Sequence, residues 1–473
     1  MKDAFMLPLL SLRHLSIGVW IILGLLILSS VYLLGVDDAK SEDLQMWVFS
    51  PEHKQMYEPK IAELNARSGS DADTESRKDI ELTLLSIAAI QSRMTSGFFG
   101  GLPTADMIEV ERSTVGKVFM GPPESIGFRD ITDRLKDEGL YDQINGPSLS
   151  PWSVNGRVYG LPHDVHPVML AYRADLTEAA GIDLTQATTW EKFFELLAPL
   201  MSDEDGNGRP DHYPLSMWVT QQDNIELLML QGDGQLFDAD GRPTINSDRN
   251  AELLAEIVSW CIGDEPLVTD IDEFSAAGHQ ARVDGEAIAY LCPDWMCSIW
   301  KMHVPLIDGK MKLMPLPAFE EGGRRTSVRG GTMLGFPKES DEYEQAWETA
   351  VQLYTSPEIA RELYQMVDIV SPIRSLWDDP VYDEPDPFFM DQAKGRMFIE
   401  LAPDIPLRTS SPYNYSAVLN VRDAAVNILD WSTNGGGIDD EALLAKTKEE
   451  LDKAQRAIER QMSRNAFIEV VAP

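Results

Sequence analysis

The chain has 473 residues, too many for one compact domain and enough for two. Hydrophobic residues make up 44% of the sequence, which supplies apolar material for real cores and excludes wholesale disorder. The formal net charge of −37 would repel phosphate backbones and anionic head groups. This charge argues against nucleic-acid binding and, more mildly, against a strongly anionic ligand.

An uncharged apolar run of 22 residues lies near the start of the chain, at positions 15–36. A helix of that length spans roughly 33 Å, which is enough to cross a bilayer. Arg13 precedes the run and Asp37 follows it, so the positive-inside rule keeps the first residues cytoplasmic. We therefore predict that residues 1–40 form a cytoplasmic tip and a transmembrane helix in the cytoplasmic membrane, with the body periplasmic or extracellular. A cleaved signal peptide is the alternative, although its apolar region is usually about 7–15 residues long.

The three cysteines are Cys261, Cys292 and Cys297, and an odd number leaves at least one thiol unpaired. The spacing of the last two lacks the CxxC pattern of a metal site. One disulfide and three buried thiols both remain open.

Strands and helices alternate in the first third of the chain. Leu44–Phe49 is apolar on both alternating faces, which is typical of a buried parallel strand. Ser50 and Pro51 then form an N-cap and first-turn pair that predicts a helix. Further strands are predicted at Ile80–Leu84 and Ala105–Val110, with helical spacing between them. This alternation predicts an α/β fold with a parallel, doubly wound sheet.

Later segments continue the same pattern. The Asn155-Gly156 pair is a hairpin turn signal between two short strands. A second α/β region is predicted over about 168–313, and the tail reads as an amphipathic helix. The helices predicted in these regions are Thr189–Met201, Ala251–Ile262 and Asp440–Met462.

Several short motifs in this order and spacing resemble one protein family. They are Trp152, Asn155-Gly156, Tyr159-Gly160-Leu161-Pro162, Asp164, Tyr172, Asp175-Leu176, Ala180-Gly181-Ile182, Thr189-Trp190, Asp294–Trp300, Gly330–Ser340 and Ser356–Gln365. From about residue 43 onward the chain is similar to the family 1 extracellular solute-binding proteins, the group that contains maltose-binding protein. No single motif is diagnostic, so the resemblance rests on their order.

The resemblance implies a two-lobed periplasmic-binding-protein fold of type II, with a doubly wound sheet in each lobe. Residues 43–165 with about 315–370 would form lobe 1, and residues 166–314 with about 371–465 would form lobe 2. Hinge segments at Gly160–Pro167 and near Pro315–Arg329, with a third around Ser371, would join the lobes.

The implied function is the capture of a carbohydrate, with a neutral oligosaccharide favoured, for an ABC permease in the same membrane. The resemblance implies a monomer without a cofactor or an enzymatic activity. A ligand-sensing partner of a membrane signalling protein is the first alternative. An extracytoplasmic glycoside-active enzyme is the second, because carboxylates are plentiful.

A sugar site needs aromatic surfaces together with acidic, basic or amide side chains, and in doubly wound folds it lies beyond the carboxyl ends of the strands. Candidates at strand ends and in the first crossing are Glu52, Glu109, Glu111, Arg112, His163, Asp164 and His166. Candidates in later turns are Trp295, Arg329, Gly330, Tyr413 and Tyr415, the tyrosines lying in a loop that we expect to be exposed. Structural alternatives are helix capping for Glu52, core packing for Trp295 and turn formation for Gly330.

One loop is similar to the first half of a calcium-binding EF-hand loop. Its candidate ligands are Asp203, Asp205, Asn207 and Asp211. The twelfth position, which should be a bidentate glutamate, is Pro214, so a polar turn is the favoured interpretation.

Overall fold

A computed structural model of the chain describes residues 16, 19–25, 27, 42–68, 77–119, 123–201, 203, 206, 210, 212–408 and 411–464. The chain divides into two units, residues 1–42 and residues 43–473. Residues 19–25 and 27 are helical, while most of the predicted membrane segment at 15–36 lies outside the described residues. Within the described part of the chain, no helix is both long enough and apolar enough to cross a membrane.

The described strands all belong to the larger unit. In chain order they are β1 (Leu44–Val48), β2 (Ile80–Leu84), β3 (Met107–Glu111), β4 (Ser153–Val154), β5 (Arg157–Val158), β6 (Leu161–Pro162), β7 (Val168–Arg173), β8 (Tyr213–Ser216), β9 (Val268–Thr269), β10 (Ala287–Pro293), β11 (Met311–Pro315) and β12 (Thr332–Gly335).

The α-helices of the larger unit lie between and after these strands. They are α1 (Pro51–Ser68), α2 (Ile87–Gly100), α3 (Arg112–Val115), α4 (Thr132–Asp137), α5 (Gly146–Leu149), α6 (Ala174–Ala179), α7 (Trp190–Leu197), α8 (Gln222–Gln231), α9 (Asp248–Ser259), α10 (Ala276–Asp284), α11 (Asp294–His303), α12 (Tyr343–Tyr354), α13 (Pro357–Val367), α14 (Lys394–Leu401), α15 (Asn414–Thr433) and α16 (Asp440–Ser463).

The first sheet has the strand order β2-β1-β3-β12-β6. β1 pairs in parallel with β2 and β3, and α1 and α2 connect these strands, as the alternation predicts. Ser50 Oγ accepts the His53 N–H at 3.3 Å, which confirms the predicted cap of α1. The prediction of a wholly parallel sheet is wrong, because β12 runs antiparallel to both of its neighbours. The chain enters β12 directly from the second sheet, without a crossover helix that would make β12 parallel to its neighbours.

The second sheet has the strand order β11-β7-β10-β8-β9. β8 runs parallel to β9 and β10, but β7 is antiparallel to both β10 and β11, so this sheet is also mixed. Side chains alternate between two cores: Val168 and Leu170 face one, and Met169 and Ala171 face the other. Burial on both faces is why the strand sequences are almost continuously apolar.

Two segments pass between the sheets and run side by side. β6 and β12 belong to the first sheet and β7 and β11 to the second, so residues 163–167 and 316–331 are the crossings. Val168 N–H donates to Ser327 O at 3.0 Å, and Pro167 forms an antiparallel bridge with Val328. These crossings agree with the first two hinge segments that the resemblance implies.

Smaller predictions can also be compared with the structure. Asn155 and Gly156 have φ of 51° and 72° between the antiparallel strands β4 and β5, so the predicted hairpin turn is confirmed. Cys261 is free, as are Cys292 and Cys297, whose sulfur atoms lie 3.7 Å apart in a buried setting.

Candidate ligand-binding site

The first crossing carries a buried row of charges. His166 Nε2 lies 3.1 Å from Asp164 Oδ2, and its Nδ1 lies 2.7 Å from Asp294 Oδ1. Asp294 Oδ2 also accepts the Val370 N–H at 3.0 Å. Burial alone would lower the pKa of His166, but the charges of Asp164 and Asp294 outweigh burial and raise that pKa to about 10. His166 is therefore a cation between two carboxylates at neutral pH.

The backbone of the two crossings allows His166 and Gly330 to lie close together. His166 has φ of 55°, which is uncommon outside glycine, and Gly330 on the second crossing has φ of 100°. A Cβ on Gly330 would lie 2.9 Å from His166 Cδ2 and 3.2 Å from Trp295 Nε1. Glycine is thus required at Gly330 by both conformation and space.

A second polar cluster surrounds Glu109, which is fully buried on β3. His53 Nδ1 lies 3.0 Å from Glu109 Oε2, and the hydroxyls of Tyr57 and Tyr354 donate to Oε1 at 3.1 and 3.0 Å. Burial raises the pKa of Glu109, but the adjacent His53 lowers it below its usual value overall. Because both carboxylate oxygens already accept from protein groups, this geometry argues against the predicted direct contact between Glu109 and a ligand.

This cluster also has donor atoms suited to a metal ion. One donor atom each from His53, Glu109 and His163 lies within 4.8 Å of the others, and all three residues are buried. Imidazole and carboxylate are ligands that zinc accepts.

Of the predicted calcium loop, Asp205, Asn207 and Asp211 lie outside the described residues. Asp203 Oδ1 accepts the Gly206 N–H at 2.7 Å, as in a polar turn.

Two predicted acids are engaged locally. The Ser50 hydroxyl donates to Glu52 Oε2 at 2.6 Å within the first turn of α1, which fits a role in helix capping. Glu111 accepts the Ser113 N–H at 2.9 Å as the N-cap of α3. Burial raises the pKa of Glu111 above its usual value.

Arg112 joins elements of the two sheets. It follows β3 of the first sheet, and its guanidinium forms a two-pronged ion pair with Glu226 of α8, with Nη1 to Oε1 at 3.0 Å. α8 packs in a core of the second sheet. Asp223 lies 3.6 Å from Arg112, and Asn414 Nδ2 donates to Glu226 Oε1 at 3.3 Å. Burial raises the pKa of Glu226, but the Arg112 charge lowers it below its usual value overall.

An aromatic surface lies beside the second crossing. The rings of Trp295 and Phe274 are nearly parallel, with centroids 6.3 Å apart, and Phe274 is 41% exposed. Trp295 Nε1 donates to Arg329 O at 3.1 Å. The Arg329 guanidinium lies 5.6 Å from the Trp295 ring centroid and pairs with Glu273. Trp295 is half-buried, so part of its ring packs against the protein and part is exposed.

The two predicted tyrosines have different environments. Tyr413 is 1% exposed and belongs to a core of the second sheet, so the expectation of an exposed loop is wrong there. Tyr413 immediately precedes α15. The packing of α15 against α16 buries Tyr413. Tyr415 is half-buried and lines a cavity of about 400 Å³ together with Arg112.

Arg408 is a buried residue that the sequence analysis missed. It lines three pockets. The first includes Glu226 and Asn414, the second Trp152 and Asp164, and the third Arg112 and Tyr415. All three share Arg408, and their lining residues come from elements of both sheets, so the three pockets together are called the cleft.

Glu226, Phe274 and Arg408 gave no signal in the sequence. Glu226 lies on α8 and Arg408 follows α14, so neither lies at a predicted strand end. Phe274 lies in a loop beside Trp295. A buried acid on an otherwise apolar helix is the one available hint, and Glu226 in the run Ile225–Gln231 provides it.

Two mixed α/β sheets, joined by paired crossings and separated by a cleft of aromatic and charged groups, define a two-lobed ligand-binding protein. The chain belongs to the bacterial extracellular solute-binding proteins, since the model of that family matches residues 86–386, more than half of the chain. The predicted family is therefore confirmed.

Individual proteins agree with this assignment. The chain is 23% identical over 453 residues to an arabinooligosaccharide-binding protein of Halalkalibacterium halodurans, with 91% of this chain and 92% of the relative covered. It is 24% identical over 344 residues to a lactose-binding protein of Rhizobium radiobacter, with 71% and 76% covered. Among solved structures, the sugar-binding protein MalE from Xanthomonas citri is similar with a TM-score of 0.71 at 15% identity, covering 89% of this chain and 99% of that one.

Proposed function

We propose that the chain is the extracytoplasmic substrate-binding protein of an ABC importer and that it binds an oligosaccharide in the cleft between its lobes. The observation that carries this proposal is that Trp152 and Tyr415 line the cleft together with charged groups from both sheets, and that Trp295 lies beside Gly330, which also lines it. A sugar presents apolar C–H faces to aromatic rings and hydroxyls to charged groups. The sugar ligands named for the relatives support the same class of ligand.

Within this proposal, the direct contacts come from Trp295, from Tyr415 and from Arg112, whose Nε has no hydrogen-bond partner among the described residues. Gly330 admits the ligand close to the backbone. His163, Asp164, His166 and Arg329 shape the cleft around them. Glu52, Glu109, Glu111 and Tyr413 act behind the surface, because each is engaged by neighbouring protein groups or buried in a core.

The same proposal includes the arrangement in the cell. Residues 43–165 with about 315–370 form one lobe, and residues 166–314 with about 371–465 form the other. Residues 1–40 anchor the chain in the cytoplasmic membrane, which the charges flanking the apolar run support. The chain then acts as a monomer that delivers sugar to a permease in that membrane, without transforming the sugar itself.

A thermal-shift screen tests the proposal with the full chain, purified in a detergent that has no sugar head group. The panel contains arabino-, xylo-, galacto- and gluco-oligosaccharides, each with two to five units. A ligand should raise the melting temperature, because binding adds RT ln(1 + [L]/Kd) to the free energy of unfolding. The recovered sugar should be unchanged by mass spectrometry. Shortened sugar would indicate an enzyme, and a panel without any shift would refute the proposal.

A further inference from the structure

Arg408 is 5% exposed, and its backbone N–H donates to Ser150 Oγ at 3.1 Å. Its side chain makes one hydrogen bond to the described residues, from Nη1 to Gly330 O at 2.7 Å. Nε and Nη2 are buried and have no hydrogen-bond partner among the described residues. Among the residues that the structure describes, no carboxylate forms an ion pair with Arg408. A buried charge without a partner is costly, so its retention calls for a reason.

The other buried arginines of the described chain do not share this condition. Arg173 and Arg329 each pair with a carboxylate. Arg282 lacks one but lies 4.7 Å from the centroids of two aromatic rings, which supply cation–π contacts. Arg408 has neither arrangement. Burial and the neighbouring charge of Arg112 lower its pKa to about 9, although the charges of Glu226, Asp223 and Asp164 act in the opposite direction.

The Arg408 guanidinium lies beside the second crossing. A Cβ on Gly331 would lie 3.7 Å from Arg408 Nη1, 3.7 Å from Arg112 Cβ and 3.3 Å from the Trp152 ring, so Gly331 lies beside both arginines. Both terminal nitrogens of Arg112 donate to the Glu226 carboxylate. The carboxylate of Glu226 is thus committed to a different arginine, which leaves Arg408 for another acceptor.

The chemistry of that acceptor follows from the two free nitrogens. Nε and Nη2 form one planar edge of the guanidinium, which matches the two oxygens of a carboxylate. A single sugar hydroxyl could accept one of these N–H groups, whereas a carboxylate accepts both along the planar edge. We propose that the oligosaccharide bound in this cleft carries a carboxylate, as on a uronic acid unit, and that Arg408 receives it. This inference rests on the proposed function and revises the neutral sugar that the composition favours.

The net charge of −37 does not oppose such a subsite. Exposed charges are screened beyond a Debye length of about 8 Å at physiological ionic strength. A desolvated pair inside the cleft is governed instead by the groups that face it, and there Arg408 forms no ion pair with a described carboxylate.

The test compares matched sugars on the full chain by isothermal titration calorimetry. The pairs are a xylotetraose carrying one glucuronic acid, a trigalacturonate and a trimannuronate, each against the same compound with its carboxylates reduced to alcohols. At least one uronate should bind about 10- to 100-fold more tightly than its reduced form. If the reduced forms bind equally well, or if only neutral sugars from the thermal-shift panel bind, the carboxylate subsite is wrong and the proposed function stands. If no sugar of either kind binds, both are wrong.

Arg408→Gln should remove the preference for the uronate, with a loss of about 10- to 100-fold, and should leave the reduced sugar unaffected. Its melting temperature without sugar should be unchanged or higher, since a buried unpaired charge is removed. Arg157→Gln is the control: it makes the same charge change at an exposed arginine that pairs with Asp130 and Asp133. Arg408→Lys keeps the charge but loses the planar edge, and should retain part of the preference. Equal losses for both sugars in either variant would show a structural role and overturn the proposal.

Discussion

The clusters around His166 and around Arg408 lie on either side of Gly330, yet they are completed differently. His166 is a cation between two carboxylates, and all three groups belong to the protein. Arg408 reaches Gly330 O and no carboxylate of the described chain. A cation that already contacts two protein carboxylates holds one geometry and gives a ligand little to gain. An arginine with two unpartnered N–H groups interacts differently with different ligands, which is the requirement for selectivity.

The largest expected effect comes from removing the His166 cation that lies between Asp164 and Asp294. His166→Asn keeps a side chain that tolerates positive φ but leaves Asp164 and Asp294 buried without their cation. We expect a loss of about 3–5 kcal/mol in the free energy of unfolding, measured by urea denaturation. His303→Asn, at an exposed position, is the control and should cost about 0.5 kcal/mol or less. Equal costs at the two sites would mean that the buried pairs contribute nothing special.

The same cluster should give stability a characteristic pH dependence. The pKa of His166 rises from 6.5 to about 10 on folding, so its contribution is complete below pH 6.5 and is lost between pH 6.5 and about 10. The pKa of Asp164 is lowered from 3.8, so that contribution is complete above pH 3.8 and is lost at more acidic pH. Urea denaturation of the wild type should therefore show falling stability from pH 6.5 to 10. A slope just as steep in His166→Asn would assign the fall to other groups.

The aromatic surface should affect affinity more than folding. Trp295→Ala removes a half-buried ring that faces Phe274, and we expect a loss of roughly 1–4 kcal/mol in sugar affinity by calorimetry. Trp295→Phe is the matched variant, because it keeps an aromatic face and loses only the N–H donated to Arg329 O. Its affinity should remain within a few-fold of the wild type. Full affinity in a folded Trp295→Ala protein would exclude this residue from the site.

Local chemistry made much of the fold predictable. Leu44–Val48, its N-capped helix and the hairpin at Asn155-Gly156 each depend on residues that are adjacent in sequence. The polar residues of the first crossing, from His163 to His166, could also be predicted, because a charged run inside an apolar stretch is recognisable in the sequence. The direction of β12 was not accessible, since it depends on the path of the chain through the other sheet.

The cleft was less predictable because its contacts join distant positions. Arg112 and Glu226 are 114 residues apart, and nothing in either local sequence indicates the other. The Ser-Ser-Pro turn predicts an exposed loop for Tyr413, but Tyr413 immediately precedes a helix and packs in a core. A turn motif predicts where the chain bends and not which side chain becomes buried.

The smallest expected effect concerns the ion pair between Arg112 and Glu226. Because these residues belong to elements of different sheets, the pair favours the closed arrangement of the lobes. Glu226→Gln keeps the size of the side chain and removes its charge, so the closed form should lose about 1 kcal/mol. We expect a larger radius of gyration by small-angle scattering without sugar, the wild-type value at saturating sugar, and an affinity weaker by a few-fold. Glu178→Gln, which breaks an exposed pair with Lys312 inside one lobe, should change none of these. If both variants scatter like the wild type without sugar and bind it equally well, the ion pair does not hold the lobes together, and closure depends on the ligand and the crossings alone.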